Sequence, residues 1–210
     1  DVTAHVLEGL GLLDAGRTDH AIAKALDYIR QEQESEGSWF GRWGVNHIYG
    51  TAAVLPALKV LGEDMDADYV IRAARWLVSC QNTDGGWGES PMSYMDDSLR
   101  GEGETTASQT AWAIMALIAV NGDDYASHIQ RGVDYLVENQ IDGTWHEEKY
   151  TGTGFPGYGA GARADLARLK VQLQQGNELS RGFMINYNMY RHYFPLMALG
   201  RARRYLSNTE

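Results

Sequence analysis

Cysteine is almost missing from this chain: Cys80 stands alone, so no intramolecular disulfide can staple the fold. Its place just before Gln81, at the end of an apolar helical pattern, reads as a small buried hydrophobe, and a reducing compartment is favoured. Positive charge is also scarce. Lys and Arg number 18 against 28 Asp and Glu, for a net charge of −10 with no basic cluster, which argues against nucleic-acid binding. Long hydrophobic runs are missing too. The longest, Ala111 to Val120, falls well short of the roughly 20 residues that span a bilayer, and no signal peptide opens the chain, so a soluble or peripheral protein is expected. There is no phosphate loop, dinucleotide fingerprint or nucleophile elbow. No Cys/His set has zinc-ligand spacing, and Asp64, Asp66 and Asp68 lack the Gly and distal Glu of a calcium loop, so no metal or other cofactor is expected. Asp96-Asp97 and Asp123-Asp124 read as solvated loop carboxylates.

What the chain does have is a repeat. Gln81-Asn82-Thr83-Asp84-Gly85-Gly86-Trp87 is echoed by Gln33 to Trp39 and by Gln140 to Trp145. Nine residues before each Gln stands a basic residue (Lys24, Arg72, Arg131), followed by a small one and then by Tyr28, Trp76 or Tyr135. Thr3-Ala4, Thr51-Ala52 and Thr110-Ala111 stand 30 residues before their Gln in all three copies. A rigid helix-turn-helix-turn unit accounts for this constant phase. With 44% hydrophobic residues in 210, one compact unit burying roughly 70% of its extended-chain surface is expected.

The helix from Thr3 sets Val6, Leu7, Leu10 and Leu13 at the 3.6 period, although two Gly weaken it and suggest that something packs close; the first helices of the next two units, Thr51 to Leu61 and Thr110 to Val120, are apolar nearly all round. The second helix of each unit (about Asp19 to Gln33, Asp68 to Cys80 and His128 to Asn139) is charged on one side. Buried helices ringed by amphipathic ones predict an all-α fold, an α/α toroid of helical hairpins, left incomplete by the three and a half units present. The units run over about 3–39, 51–87 and 110–145, with a half unit at 183–206 whose helix is expected from about Ser180 to Leu206. The chain opens at Asp1 without a Met and is helical in pattern by Thr3, which suggests a cut from something longer. Links from each Trp to the next inner helix lengthen from 12 to 23 to about 35 residues, so function should concentrate there.

The first link, Phe40 to Gly50, brings Trp43, His47 and Tyr49 beside a buried helix. The last adds Tyr150, Phe155 and Tyr158, and the final helix is expected to align Phe183, Tyr187, Tyr190 and Phe194 on one face. Spacing alone leaves two readings, a core stripe or the wall of a cavity for an apolar or cationic ligand. His5, four residues after Asp1, forms an i,i+4 pair in which the carboxylate would raise the imidazole's affinity for a proton; structural and catalytic roles both remain open.

The triple repeat resembles the QW motif of the squalene–hopene cyclase family of triterpene cyclases. The likeness extends to Asp1 to Glu8, Gly37 to Gly50, Gln81 to Glu89, Ser108 to Ala113, Thr151 to Gly157, and Met189 to His192 with Phe194-Pro195. The resemblance implies two α/α barrels around an apolar cavity, in which an Asp of a DxDD motif protonates squalene and starts a cationic ring-closing cascade ending in hopene or hopanol. No DxDD occurs here, so this piece alone is expected to be inactive. By position, Asp1 and His5 resemble the pair that supports that acid. Trp43, Phe155, Phe183, Tyr187 and Tyr190 resemble residues lining the cavity, and Tyr49 a polar-tipped neighbour near its acid end. Gln33, Trp39, Gln81, Trp87, Gln140 and Trp145 are the structural QW residues. His47 departs from the family's usual aromatic. Residues 158–182 form an insert with Leu166, Leu169 and Leu173 at helical spacing, either an amphipathic membrane-contacting helix or a solvated one.

Squalene and a membrane surface are the partners that the resemblance implies, with attachment to the cytoplasmic face of the bacterial inner membrane and a homodimer as a possible assembly. The alternatives are an oxidosqualene-type cyclase and a non-catalytic α/α scaffold. A protein prenyltransferase β subunit would need Asp, Cys and His zinc ligands that cannot be assembled here.

Overall fold

The computed structural model describes residues 1–13, 19–149, 151–154, 178–179, 182–185 and 187–207. Helices dominate it. The first hairpin is α1 (Val2–Leu12) and α2 (His20–Gln31), the second α3 (His47–Val60) and α4 (Asp68–Ser79), the third α5 (Ala107–Asn121) and α6 (Ala126–Glu138). The final helix is α7 (Tyr190–Ser207). Consecutive first helices pack on one another, α1 on α3, α3 on α5 and α5 on α7, while α2, α4 and α6 lie against them from one side. This two-layer arc is the α/α toroid expected from the repeat.

The layers follow from hydrophobic pattern. Each second helix buries one stripe at three- and four-residue spacing: Ile22, Leu26 and Ile29 in α2, Val70, Ala73 and Leu77 in α4, Ile129, Gly132 and Leu136 in α6. Asp19 starts α2 by accepting from the backbone N–H of Ala21 and Ile22. By contrast, α3 is buried on every side from His47 to Leu58. The helices α3 and α5 begin four and three residues earlier than periodicity alone suggests, because their first turns are capped by carboxylates from distant links.

Each turn is bonded to its own second helix, and the first two also lock onto the next unit. Trp39 Nε1 donates to the carbonyl of Ile29, Trp87 Nε1 to Leu77 and Trp145 Nε1 to Leu136, all at 2.7 Å. Gln33 Nε2 donates to Gly37 within its turn and to Tyr69 at the start of α4, at 2.8 and 2.7 Å. Gln81 likewise reaches Gly85 and His128. Gly85 has φ +93°, and a Cβ there would stand 2.6 Å from the Arg131 carbonyl, so the turn needs glycine on both counts. The third turn differs. Gln140 is exposed, and its turn is a small hairpin of β1 (Gln140–Ile141) and β2 (Thr144–Trp145).

Two expectations are corrected. The last helix starts at Tyr190, not near Ser180, because the segment before it is strand: β5 (Gly182–Ile185) pairs antiparallel with β3 (Gly152–Gly154) and β4 (Glu178–Leu179). Phe183 therefore does not share a helical face with Tyr190, and Tyr187 precedes the helix. Gly9, expected to mark close packing, has nothing within 4 Å of where a Cβ would sit, whereas at Gly11 a Cβ would meet Val60 at 2.6 Å. The expected membrane-contacting helix lies outside the described residues. Among the described residues no helix is long and apolar enough to cross a membrane.

Candidate active site

Four inner helices bring aromatic side chains to one place. Tyr49 on α3 lies 4.8 Å, ring to ring, from Trp112 on α5, and Trp112 meets Tyr190 and Phe194 of α7 edge-on at 5.8 and 5.2 Å. Tyr187 continues the wall, 4.8 Å from Tyr190. At the other end, His5 on α1 lies 5.7 Å from the Tyr49 ring, and its Nε2 pairs with the Tyr49 hydroxyl at 3.0 Å. His5, Tyr49, Trp112 and Phe194 line a pocket of about 150 Å³ with Pro56 and Met115, and an ion pair between Glu8 and Arg201 (3.4 Å) stands at its rim.

The electrostatics of this wall are those of a dry place. Burial pushes the Tyr49 and Tyr190 phenols well above their ordinary value, and neighbouring tyrosines add to the shift, so both keep their protons. Burial also holds the His5 imidazole below its usual value, and Glu8 opposes it. Here a further correction arises. The Asp1 carboxylate and the His5 imidazole do not meet. One Asp1 oxygen caps α1 by accepting from Val2 N–H at 2.7 Å, and the other accepts from the N–H groups of Arg42 and Trp43 at 3.0 and 2.8 Å. An i,i+4 pair was not available, because a residue at a helix start turns its carboxylate toward free backbone donors. Asp1 therefore holds the Trp43 loop and does not tune His5.

Trp43 is half-buried against the core, its ring under the Arg42 guanidinium at 5.4 Å. The loop that carries it is pinned from both sides. Gly44 forms a bridge with Gly152, Val45 N–H donates to the Thr151 carbonyl at 2.9 Å, and the Thr153 hydroxyl bonds the Arg42 carbonyl. The first link and the last thus meet. Phe155 lies outside the described residues, and Phe183 is placed only as part of β5.

Sequence reasoning did not single out Trp112. Sitting in an all-apolar helix, it gave no sign of a wall; only its position between Tyr49 and Tyr190 shows one. His47 also turns out differently from an aromatic stand-in. It is fully buried, and its Nδ1 lies 3.2 Å from a Glu89 oxygen that is equally buried.

A family description, "Squalene-hopene cyclase C-terminal domain", matches residues 1–159. The squalene–hopene cyclase of Alicyclobacillus acidocaldarius subsp. acidocaldarius is 46% identical over 97% of this chain, which covers 28% of that protein. The dammaradiene synthase of Dryopteris crassirhizoma is 39% identical over 97% of the chain and 30% of its own length. A solved ent-copalyl diphosphate synthase from Streptomyces platensis superposes with a TM-score of 0.54 at 28% identity, covering 66% of this chain and 26% of that one. The chain spans under a third of the curated relatives' length. Repeat, helical arc and sequence similarity agree, and the chain belongs to the squalene–hopene cyclase C-terminal domain family.

Proposed function

We propose that this chain is the part of a triterpene cyclase that walls a cavity for squalene and supports the acid that starts its cyclisation. The observation that carries this reading is the continuous ring wall from Tyr187 through Tyr190, Phe194, Trp112 and Tyr49 to His5. Each π face can stabilise a passing cation by roughly 0.5–2 kcal/mol without offering a nucleophile that would trap it. The wall must be dry and preorganised, because water or a base would discharge the cation early.

No DxDD motif occurs here, and relatives are more than three times as long, so the proton donor belongs to a part of the protein beyond these residues. His5 is its partner. Neutral and held by Tyr49, the imidazole hydrogen-bonds the carboxylic acid. Once the acid has given its proton to the alkene, the imidazole's ring N–H can donate a hydrogen bond to the carboxylate left behind and stabilise it. Loss of a proton from the final cation, or its capture of water, yields hopene or hopanol. Squalene is insoluble in water, which supports delivery from a membrane surface and peripheral attachment on the cytoplasmic side.

The test uses the full-length protein and squalene. His5→Ala should lower kcat by about 10²–10⁴-fold, as expected for a lost proton-transfer partner. Normal conversion by a protein lacking both His5 and Trp43 would leave the scaffold reading standing. Conversion of oxidosqualene in preference to squalene would favour the oxidosqualene-type reading.

A further inference from the structure

The loop from Gly41 to Ile48 is gripped by a set of buried polar groups that lie outside the pocket. Tyr94, 2% exposed, directs its hydroxyl between the carbonyl oxygens of Gly41 (2.7 Å) and Gly44 (2.9 Å), which bracket Trp43. Glu89, 4% exposed, accepts from the N–H groups of Asn46 (3.3 Å) and Ile48 (2.8 Å) and from Nδ1 of His47 (3.2 Å). Asn46 Nδ2 donates to Ser93 Oγ at 3.1 Å, and Gln109 Nε2 donates to the carbonyls of Val45 and Glu89 at 2.9 and 3.1 Å. Glu89, Ser93 and Tyr94 all sit on the 23-residue link between Trp87 and Thr110.

Stability alone does not call for this arrangement. Burying a carboxylate, an imidazole and a phenol costs desolvation energy that apolar side chains of similar volume would avoid. A satisfied polar network, however, admits one geometry where an apolar contact tolerates several. What this network fixes is backbone. Tyr94 fixes the carbonyls on either side of Trp43. Glu89 fixes the first turn of α3, one residue before Tyr49, and its negative charge sits at the positive end of that helix. Burial pushes the Glu89 carboxyl up, but the hydrogen bonds and charge of His47, with those of Ile48 N–H and Ser93, bring it below its ordinary value, so it serves as an ionised cap.

We infer that Glu89 and Tyr94 are positioning residues: they set where Tyr49 stands in the pocket wall and hold the loop that carries Trp43, and so set how far the substrate cation travels before it is discharged. This rests on the cyclase reading above. It adds that the second link, which does not line the pocket, controls the product.

Tyr94→Phe removes one hydroxyl and keeps the ring that packs edge-on against Phe40 at 5.7 Å, so it is the variant least able to disturb folding. In the full-length protein with squalene, the fraction of incompletely cyclised products should rise several-fold. The value of kcat should fall about 10-fold with KM within 2-fold, since displacements below 1 Å at a reacting centre carry rate effects of this size. In a Trp43→Ala background, Tyr94→Phe should add nothing further to the product change, because both act through one side chain. Glu89→Gln should shift products in the same direction. Wild-type protein that leaves squalene unconverted overturns the functional reading, and this inference with it. Wild type that converts squalene, beside a Tyr94→Phe variant with unchanged products and kcat and only a lower melting temperature, overturns this inference alone.

Discussion

The two middle inner helices, α3 and α5, and the two flanking ones, the apolar α1 and the more basic α7, meet different fates. Every residue of α3 from His47 to Leu58 is buried. In α1 only Ala4 and Leu7 are, while Val2, Val6 and Leu12 stand more than half exposed. On α7, Pro195, Ala198 and Ala202 are buried and Leu196 is 58% exposed. A helix apolar on all sides is suited to cover on all sides. The middle pair receive that cover within this chain; the flanking pair do not. The pocket straddles the difference, with a floor of Tyr49 and Trp112 on well-packed helices and a mouth of His5, Phe194 and Arg201 on bare ones.

The largest test of this contrast is truncation. Leu117 on α5 is fully buried, and Leu117→Ala should cost about 3–5 kcal/mol, the transfer energy plus that of a cavity. Leu12 on α1 is 68% exposed, and Leu12→Ala should cost about 0.5 kcal/mol or less. Urea unfolding of the 210-residue chain measures both. Equal losses would mean that α1 is covered in solution, as by a second copy.

Glycine offers the next test. Gly85→Ala would force a strained φ and a clash with the Arg131 carbonyl, costing about 1–3 kcal/mol. Gly9, in the middle of α1 with open space around it, should behave oppositely. Gly9→Ala should stabilise by roughly 0.5–1 kcal/mol through helix propensity. Thermal melts of the two variants should move in opposite directions, and a destabilised Gly9→Ala would show that something packs on that face.

How much of this was legible beforehand depended on whether a feature is local. The helical hairpins and the two-layer order could be read from three copies of one phase, because periodicity and turn chemistry are short-range. The role of Asp1 is not local: spacing cannot reveal that free backbone N–H groups of Arg42 and Trp43, far away in sequence, compete for its carboxylate. Trp112 was passed over because its neighbours Tyr49 and Tyr190 lie on other helices. The strand at Gly182–Ile185 reads as helix from sequence because its partner, Gly152–Gly154, supplies the pairing from across the last link.

A smaller test concerns two buried carboxylates, each two residues after a repeat Trp. Glu89 caps α3 with His47 beside it and lies below the ordinary value. Glu147 accepts from Ser108 N–H and hydroxyl and from the Thr151 hydroxyl, yet burial prevails and holds it above. Glu89 therefore contributes stability above its unfolded value of about 4.3, lost as pH falls through its lower folded value. Glu147 contributes below about 4.3, and that part is lost as pH rises through its higher folded value. On raising pH from 4 to 7, the stability gap between wild type and Glu89→Gln should widen, and that for Glu147→Gln should narrow. Parallel slopes would refute the distinction.

The smallest effect expected lies at the pocket mouth, where Glu8 of α1 and Arg201 of α7 join the two bare helices at 3.4 Å. With Arg201 38% and Glu8 21% exposed, water and salt screen the pair, and a Glu8→Gln, Arg201→Gln double-mutant cycle should give a coupling of about 0.2–1 kcal/mol that fades in 1 M salt. The same cycle sharpens the comparison between middle and flanking helices. If the flanking pair gain cover in the complete protein, the ion pair loses its screening there, and the coupling measured in the longer chain should exceed that in these 210 residues and respond less to salt. Equal, salt-sensitive couplings in both would mean that the mouth stays open to water even when the rest of the protein is present.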